Sequence, residues 1–170
     1  MDLTFVFPCL NEEETLRSCI RAVRESLDPA GNELDYEIVV ADNGSTDRSA
    51  EIAREEGARV VPVEARGYGA ALRGGIEAAE GTYVMFADAD MTYHYEDALP
   101  LYRKAIETDS DMAIASRIEG TIQDGAMPWL HRWLGTPVLT GLINVLFHGK
   151  LSDCNSGFRC IRKTAYEGWG

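Results

Sequence analysis

The chain has 170 residues, 45% of them hydrophobic, enough to bury the core of one domain and too many for a disordered segment. Its formal charge at pH 7 is −12, and no basic stripe exists to neutralise phosphates, so nucleic acid is excluded as a partner. The basic side chains are 13 arginines and three lysines (Lys104, Lys150 and Lys163), a balance that suits a high-salt cytoplasm and fits an acidic mesophilic protein as well. The four cysteines, at 9, 19, 154 and 160, form no C-x-x-C pair, so metal spacing is absent and reduced cytosolic thiols are expected. No signal peptide is expected, because Leu3 to Phe7 reads as a strand and is too short for a secretory apolar core. No apolar run reaches the ~18 residues of a membrane span, so a soluble or peripheral chain is expected.

In chain order, Leu3 to Phe7 reads as a first strand stopped by Pro8. A helix is predicted from Glu12 to Leu27, with Leu16, Ile20, Val23 and Leu27 at helical spacing. After a turn at Asp28 to Asn32, Tyr36 to Ala41 is a second strand, and Ser45 or Thr46 caps a helix that ends near Gly57. Arg59 to Val63 is a third strand, followed by a glycine-rich turn and a helix to Glu80. Thr82 to Ala87 is a buried strand, Tyr95 to Glu107 a helix, and Asp111 to Ser116 another strand. Beyond Ile118 the pattern changes. Glu119 to Met127 is polar and turn-like, Pro128 to Phe147 is apolar, and Leu151 to Arg159 is a polar loop entering a last short strand. The sequence stops at Gly170 inside an uncapped helix, so the expectation is a single catalytic domain over residues 1–170, truncated before a membrane anchor. Alternating strands and helices predict an α/β fold, a mostly parallel sheet with helices on both faces.

In such sheets ligands bind beyond the carboxyl ends of the strands. Those ends carry Pro8-Cys9-Leu10-Asn11-Glu12, Asp42-Asn43-Gly44-Ser45, Asp88-Ala89-Asp90 and Ser116-Arg117. Asp88 and Asp90 are two residues apart, so in extended backbone both carboxylates point one way, an arrangement suited to a hard divalent cation and the diphosphate it neutralises. A strand end and turn is the alternative use of Asp90. Gly67, Gly69, Gly74 and Gly75 surround a helix start after Arg66. They serve either a phosphate at that helix N-terminus or close helix packing, and they match neither a Walker A loop nor a dinucleotide fingerprint.

Together these blocks resemble the family 2 glycosyltransferases of the Rossmann-like GT-A fold. Val6-Phe7-Pro8-Cys9-Leu10-Asn11-Glu12-Glu13 is similar to that family's opening, Asp42-Asn43-Gly44-Ser45-Thr46-Asp47 to its D-x-G-S-x-D loop, and Asp88-Ala89-Asp90 to its D-x-D metal motif. Ser116-Arg117, Gly125 to Arg132 and Asp153 to Arg159 resemble the polyprenyl-phosphate sugar synthases, the dolichol-phosphate glucose and mannose group.

The resemblance implies a donor pocket of Pro8, Asn11, Glu12, Asp42, Arg66, Gly67, Asp88, Ala89 and Asp90, with Asp42 reading the donor's base. It implies Mg²⁺ or Mn²⁺ on Asp88 and Asp90, although Thr92 stands where many relatives carry a glutamine ligand. It implies Arg117, Arg132, Ser156 and Arg159 around an acceptor phosphate, since guanidinium forks bind phosphate bidentately. Asp153 lies where other branches place a catalytic base; orienting Arg132 or Arg159 is its competing role. The implied activity is inverting, metal-dependent transfer of a hexose from a nucleotide-sugar to a polyprenyl phosphate at the cytoplasmic face of the cell membrane. UDP-glucose is favoured over GDP-mannose. The alternatives are a family 2 enzyme with a soluble or polysaccharide acceptor, and a nucleotide-binding regulatory domain without catalysis.

The membrane surface is a further expected partner. Trp129 and Trp133 share a helix face with Arg132 between them, suited to the headgroup layer. The later set of Val138, Leu139, Leu142, Ile143, Leu146 and Phe147 recurs at steps of three and four and is expected to pack on the sheet as core.

Overall fold

The computed structural model describes residues 1–115, 136–147 and 153–169. The chain divides into two compact units, Met1–Ala113 with Phe158–Gly170, and Ile114–Gly157. The strands are β1 (Leu3–Cys9), β2 (Tyr36–Asp42), β3 (Arg59–Pro62), β4 (Tyr83–Phe86), β5 (Met112–Ile114) and β6 (Arg159–Arg162). The helices are α1 (Leu16–Leu27), α2 (Ser49–Glu55), α3 (Tyr68–Ala78), α4 (Ala98–Glu107), α5 (Thr136–Phe147) and α6 (Lys163–Glu167). The sheet order is β3-β2-β1-β4-β6-β5. β1, β2, β3 and β4 run parallel, and β6 returns antiparallel beside β4. This is the mixed, mostly parallel α/β sheet that the alternating pattern predicts.

β1 is buried along its whole length because both of its faces are covered. Val6 joins Val39, Ala41, Val84 and Phe86 in a cluster closed by Ile76 and Ala79 from the α3 side. There the glycines answer to packing: a Cβ on Gly75 would lie 2.4 Å from Val6 Cγ1, and one on Gly74 would lie 2.7 Å from Val63 Cγ2. On the opposite face, Phe5 and Phe7 pack on Tyr95 with ring centroids 6.4 and 5.8 Å away, and Phe158 completes the aromatic group. α1 covers this side with Leu16, Cys19, Ile20, Val23 and Leu27 buried, and its Cys19 thiol meets the Tyr95 hydroxyl.

Three of the differences from the sequence expectation have a clear physical reason. β1 continues through Pro8 to Cys9, in register with Ala41 and Asp42 of β2. The Cys9 carbonyl accepts from Asn43 N–H on the β2 side, so alternation turns Pro8 toward β4, whose pairing with β1 has ended at Val6–Phe86. The missing N–H of Pro8 therefore removes no ladder bond. α1 starts at Leu16 and not at Glu12, because Asn11 turns the chain with a left-handed φ and the segment after it is held to the next loop by N–H bonds from Asn11, Glu12 and Glu13 to Ser45, Ser49 and Asp47. Neither Ser45 nor Thr46 caps α2: Asp47 Oδ1 accepts from both the backbone N–H and the hydroxyl of Ser49, at 2.9 and 2.6 Å.

In the second unit, the described side chains of α5 depart from the expected core role, and those of Val138, Ile143 and Phe147 lie outside the description. Leu139, Leu142, Val145 and Leu146 are 42%, 53%, 75% and 62% exposed. Among the described residues no helix is long and apolar enough to cross a membrane.

Candidate active site

The parallel strands deliver their carboxyl ends to one rim, and hydrogen bonds between loops fix its shape. The loop after β1 and the loop after β2 are stitched reciprocally. Asn11 N–H donates to Ser45 Oγ (3.0 Å) and Glu12 N–H to Ser49 Oγ (2.8 Å). In return, Thr46 N–H donates to Asn11 Oδ1 (2.8 Å) and Arg48 N–H to Glu13 Oε2 (3.0 Å). Asn11 can take part in both directions because it holds a left-handed backbone, φ 59°, which asparagine tolerates better than most residues.

Asn43 secures the third side. Its buried amide donates to the Val63 and Ala65 carbonyls at 3.1 and 2.6 Å and accepts from Gly67 N–H at 2.8 Å. The connection from β3 to α3 is thus fastened to the end of β2. Arg66 folds over the same point, its Nη1 donating to the Asn43 carbonyl at 2.6 Å, while Gly44, with φ +86°, leaves it room.

The Asp88-Ala89-Asp90 segment follows β4, and its carbonyls are gripped from below. Tyr95, buried in the aromatic group, donates its hydroxyl to the Asp88 carbonyl. Thr15, at the start of α1, donates to the Ala89 carbonyl at 2.5 Å. Asp90 Oδ1 accepts from the Thr92 N–H and hydroxyl at 3.0 and 2.6 Å, so Thr92 orients the second carboxylate. By contrast, Asp88 Oδ1 is buried and has no hydrogen-bond partner among the described residues. A buried, unpaired carboxylate oxygen is expensive, and a water, an ion or a ligand is what relieves it.

These residues enclose a cavity of about 440 Å³, within the size range of small-molecule sites, lined by Pro8, Glu12, Gly67, Asp88, Ala89 and Asp90 together with Cys9, Leu10, Asn43, Tyr68 and Ala71. Burial pushes the Glu12 carboxyl above its ordinary range, and the charges of Asp90, Asp47 and Asp88 push it the same way. Tyr68 is 54% exposed, yet its hydroxyl end is turned to Asp88; burial of that end and the neighbouring carboxylate hold the phenol well above its ordinary pKa.

The expected donor residues therefore gather at one place. Pro8, Glu12, Gly67, Asp88, Ala89 and Asp90 line the cavity itself. Asn11, Asp42 and Arg66 stand at its margin with polar atoms committed to loops; Asp42 Oδ1 accepts from Ser45 N–H at 3.1 Å. Arg159 is paired with Phe86 across β4 and β6, two residues before Asp88, and its charge reaches the Tyr68 hydroxyl. Asp153 and Ser156 belong to the second unit, where Asp153 Oδ1 accepts from Asn155 N–H at 3.0 Å. Ser116, Arg117, Trp129, Arg132 and Trp133 lie outside the described residues.

Asn43, Thr15, Tyr95 and Tyr68 are site residues that sequence reasoning missed. Asn43 was legible as the second position of the Asp42-to-Asp47 block. Thr15, 74 positions from Ala89, has no local signal.

The donor set is all oxygen, which suits Mg²⁺ or Mn²⁺. Among the described residues no cluster offers three or more His, Cys, Asp or Glu ligands to one ion. Two carboxylates are nonetheless sufficient where a diphosphate completes the shell, the usual arrangement for Mg²⁺. Asp88, with its unpaired buried oxygen, and Asp90 fit such an ion.

The mostly parallel sheet with a ligand-sized cavity at its carboxyl rim has the architecture of the GT-A glycosyltransferases. Residues 4–170 match the family described as glycosyl transferase family 2, and the chain belongs to that family. It is 41% identical to the low-salt glycan biosynthesis hexosyltransferase Agl6 of Haloferax volcanii, over 97% of this chain and 39% of that protein. It is 32% identical to the dolichyl-phosphate hexose transferase of the same organism, over 95% of this chain and 67% of that protein. A solved structure of glucosyl-3-phosphoglycerate synthase from Mycobacterium tuberculosis, in complex with Mn²⁺, UDP and glucosyl-3-phosphoglycerate, is similar with a TM-score of 0.69 and 27% identity. That match covers 96% of this chain and 57% of the solved one, so the chain spans only part of the length of these relatives.

Proposed function

We propose that the cavity binds a nucleotide-sugar, UDP-glucose in preference to GDP-mannose, and that its hexose is transferred with inversion to a polyprenyl phosphate of the dolichyl type. The observation that carries this reading is the Asp88-Ala89-Asp90 segment: one buried carboxylate oxygen without a partner, a second carboxylate oriented by Thr92, and both in a cavity of ligand size. The names of the hexosyltransferase and the dolichyl-phosphate hexose transferase support the sugar and the lipid acceptor. The UDP and Mn²⁺ of the similar solved structure support the donor and the cation.

Asp88 and Asp90 would hold Mg²⁺ or Mn²⁺, and the bound cation would take up negative charge as the nucleoside diphosphate leaves. Asn43 keeps Gly67 and the start of α3 at the cavity wall. Pro8, Glu12 and Asp42 shape the base end of the pocket, with Asn11 holding Asp42's loop and Arg66 above it. An oxygen of the acceptor phosphate forms the new bond to the sugar's anomeric carbon while the bond from that carbon to the diphosphate breaks. The electron pair departs with the diphosphate. A phosphate monoester is already anionic at neutral pH, so the acceptor needs positive charge more than a strong base. Arg159, Arg117 and Arg132 would supply that charge, with Ser156 adding a hydroxyl donor and Asp153 orienting an arginine or accepting a proton. The reaction would take place at the cytoplasmic face of the membrane, where the lipid phosphate is presented.

A soluble phosphate-bearing acceptor is the second reading, favoured by the glucosyl-3-phosphoglycerate of the similar solved structure. A thermal-shift screen of UDP-glucose, UDP-galactose and GDP-mannose, each with and without Mn²⁺, tests the donor side. Stabilisation by UDP-glucose that requires Mn²⁺ and disappears in Asp90→Ala is expected. Stabilisation by GDP-mannose alone would reverse the donor preference, and metal-independent stabilisation would remove the role given to Asp88 and Asp90.

A further inference from the structure

The 12 residues of α5, Thr136–Phe147, contain no charged side chain. In most helices of a water-soluble unit one face is apolar and buried, and the other is polar and solvated. Here four apolar side chains of one face are exposed. At 100° per residue, Leu139, Leu142 and Leu146 lie within a roughly 60° arc and Val145 extends it to about 120°. All four are at least 42% exposed, while Thr140, on another side of the helix, is 4% exposed and its hydroxyl accepts from Cys154 N–H at 3.2 Å. The helix thus turns its hydroxyl inward, to its own unit, and its leucines outward. Scattered exposed leucines need no explanation, but a continuous stripe at i, i+3 and i+7 does.

Charge indicates what meets this stripe. The chain carries 28 Asp and Glu, yet none occurs from Gly125 to Ser152, and the ionisable residues of that stretch are His131, Arg132, His148 and Lys150. Such a distribution, in a chain of net charge −12, brackets an apolar helix with basic and titratable residues and removes every group that an anionic surface would repel.

We infer that the Leu139–Leu142–Leu146 face of α5 is a docking surface for the headgroup and upper acyl layer of an anionic lipid bilayer. This deepens the reading above: it rests on that reading only in placing the enzyme at a membrane, and it requires neither the donor nor the polyprenyl phosphate. The helix is too short to span the bilayer and lies in its interface, with the leucines in the acyl boundary.

The test is flotation of the 170-residue chain with vesicles of phosphatidylcholine alone and of phosphatidylcholine with about 30% phosphatidylglycerol, both free of polyprenyl phosphate. Leu142→Glu and the paired Leu139→Gln, Leu146→Gln variant are compared with the unaltered chain. The unaltered chain is expected on the anionic vesicles and released by salt, and each variant should lose binding about tenfold or more. Far-UV circular dichroism and a cooperative thermal melt, both unchanged, would show that the variants are folded. Equal binding to neutral and anionic vesicles, or undiminished binding by folded variants, would overturn the inference. So would a dimer in light scattering that Leu142→Glu converts to monomer, which assigns the stripe to a second copy. Transfer to detergent-dispersed polyprenyl phosphate by a chain that ignores vesicles would overturn this surface and leave the proposed function standing. Vesicle binding without such transfer would do the reverse.

Discussion

Replacing Asp88 with asparagine separates the stability of the chain from its proposed chemistry. Asp88 Oδ1 is buried with no partner, and the neighbouring Glu12 carboxyl is already pushed up by burial and by the charges of Asp90, Asp47 and Asp88. Without a cation, the Asp88 carboxylate carries the cost of an unsatisfied buried acceptor together with repulsion from two like charges. A buried group of this kind costs about 1–3 kcal/mol, and like charges within a few ångströms add to it. The substituted asparagine would keep the shape, remove the charge, and present an amide that can turn toward the Tyr68 or Tyr93 hydroxyl. The metal-free Asp88→Asn chain should therefore be more stable by about 1–2 kcal/mol, a rise in Tm of roughly 2–8 °C for a chain of this size. The same change should abolish the Mn²⁺-dependent stabilisation by UDP-glucose. Differential scanning calorimetry in excess chelator, then with Mn²⁺ and donor, reads both effects. A fall in Tm in chelator, or a Mn²⁺-dependent shift equal to that of the unaltered chain, would refute the assignment of Oδ1 to a cation.

Asn43→Ala removes the donor to the Val63 and Ala65 carbonyls and the acceptor of Gly67 N–H, at about 1–3 kcal/mol for each group left buried and unpaired. Chemical denaturation should show the loss, and donor KM should rise more than kcat falls. Gly75→Ala places a Cβ 2.4 Å from Val6 Cγ1 and 3.1 Å from the Ala41 Cβ, so overpacking should lower stability by about 1–3 kcal/mol in urea titration. Glu56 is held below its ordinary pKa by Arg21 and Arg17, so the stability it supplies is present above the ordinary glutamate range and is lost as pH falls through its depressed pKa. Glu56→Gln should accordingly lower stability at neutral pH and flatten the decline of Tm in acid, below about pH 5. An unchanged acid arm would show that the ion pairs contribute nothing.

The core of the fold was legible in the sequence wherever burial and periodicity agreed. β1 and β4, with runs of apolar β-favouring residues, fall where the pattern puts them, and Asp88 and Asp90 stand directly after β4. The motif blocks also located the cavity, because parallel strands must deliver their carboxyl ends to one rim. Connections across the rim were not legible. Ser45 and Thr46 do not cap α2 because both are engaged by Asn11, a partner more than 30 positions away. Pro8 reads as a strand breaker because a sequence does not say which neighbour strand ends first. The grips of Tyr95 and Thr15 on the Asp88 and Ala89 carbonyls arise from tertiary packing alone. The α5 stripe shows the limit of periodicity: steps of three and four establish that the leucines share a face, and only the folded chain shows that this face is exposed.

The proposal is tested most directly by incubating the chain with UDP-[¹⁴C]glucose, Mn²⁺ and a polyprenyl phosphate, extracting the lipid, and determining the anomeric configuration of the product by NMR. A glucosyl phosphate lipid of β configuration, formed from the α-linked donor and absent in Asp90→Ala or excess chelator, is the expected result. Undiminished transfer in chelator, retention of the α configuration, or no lipid product from any of the three donors while glucose passes to 3-phosphoglycerate would contradict it.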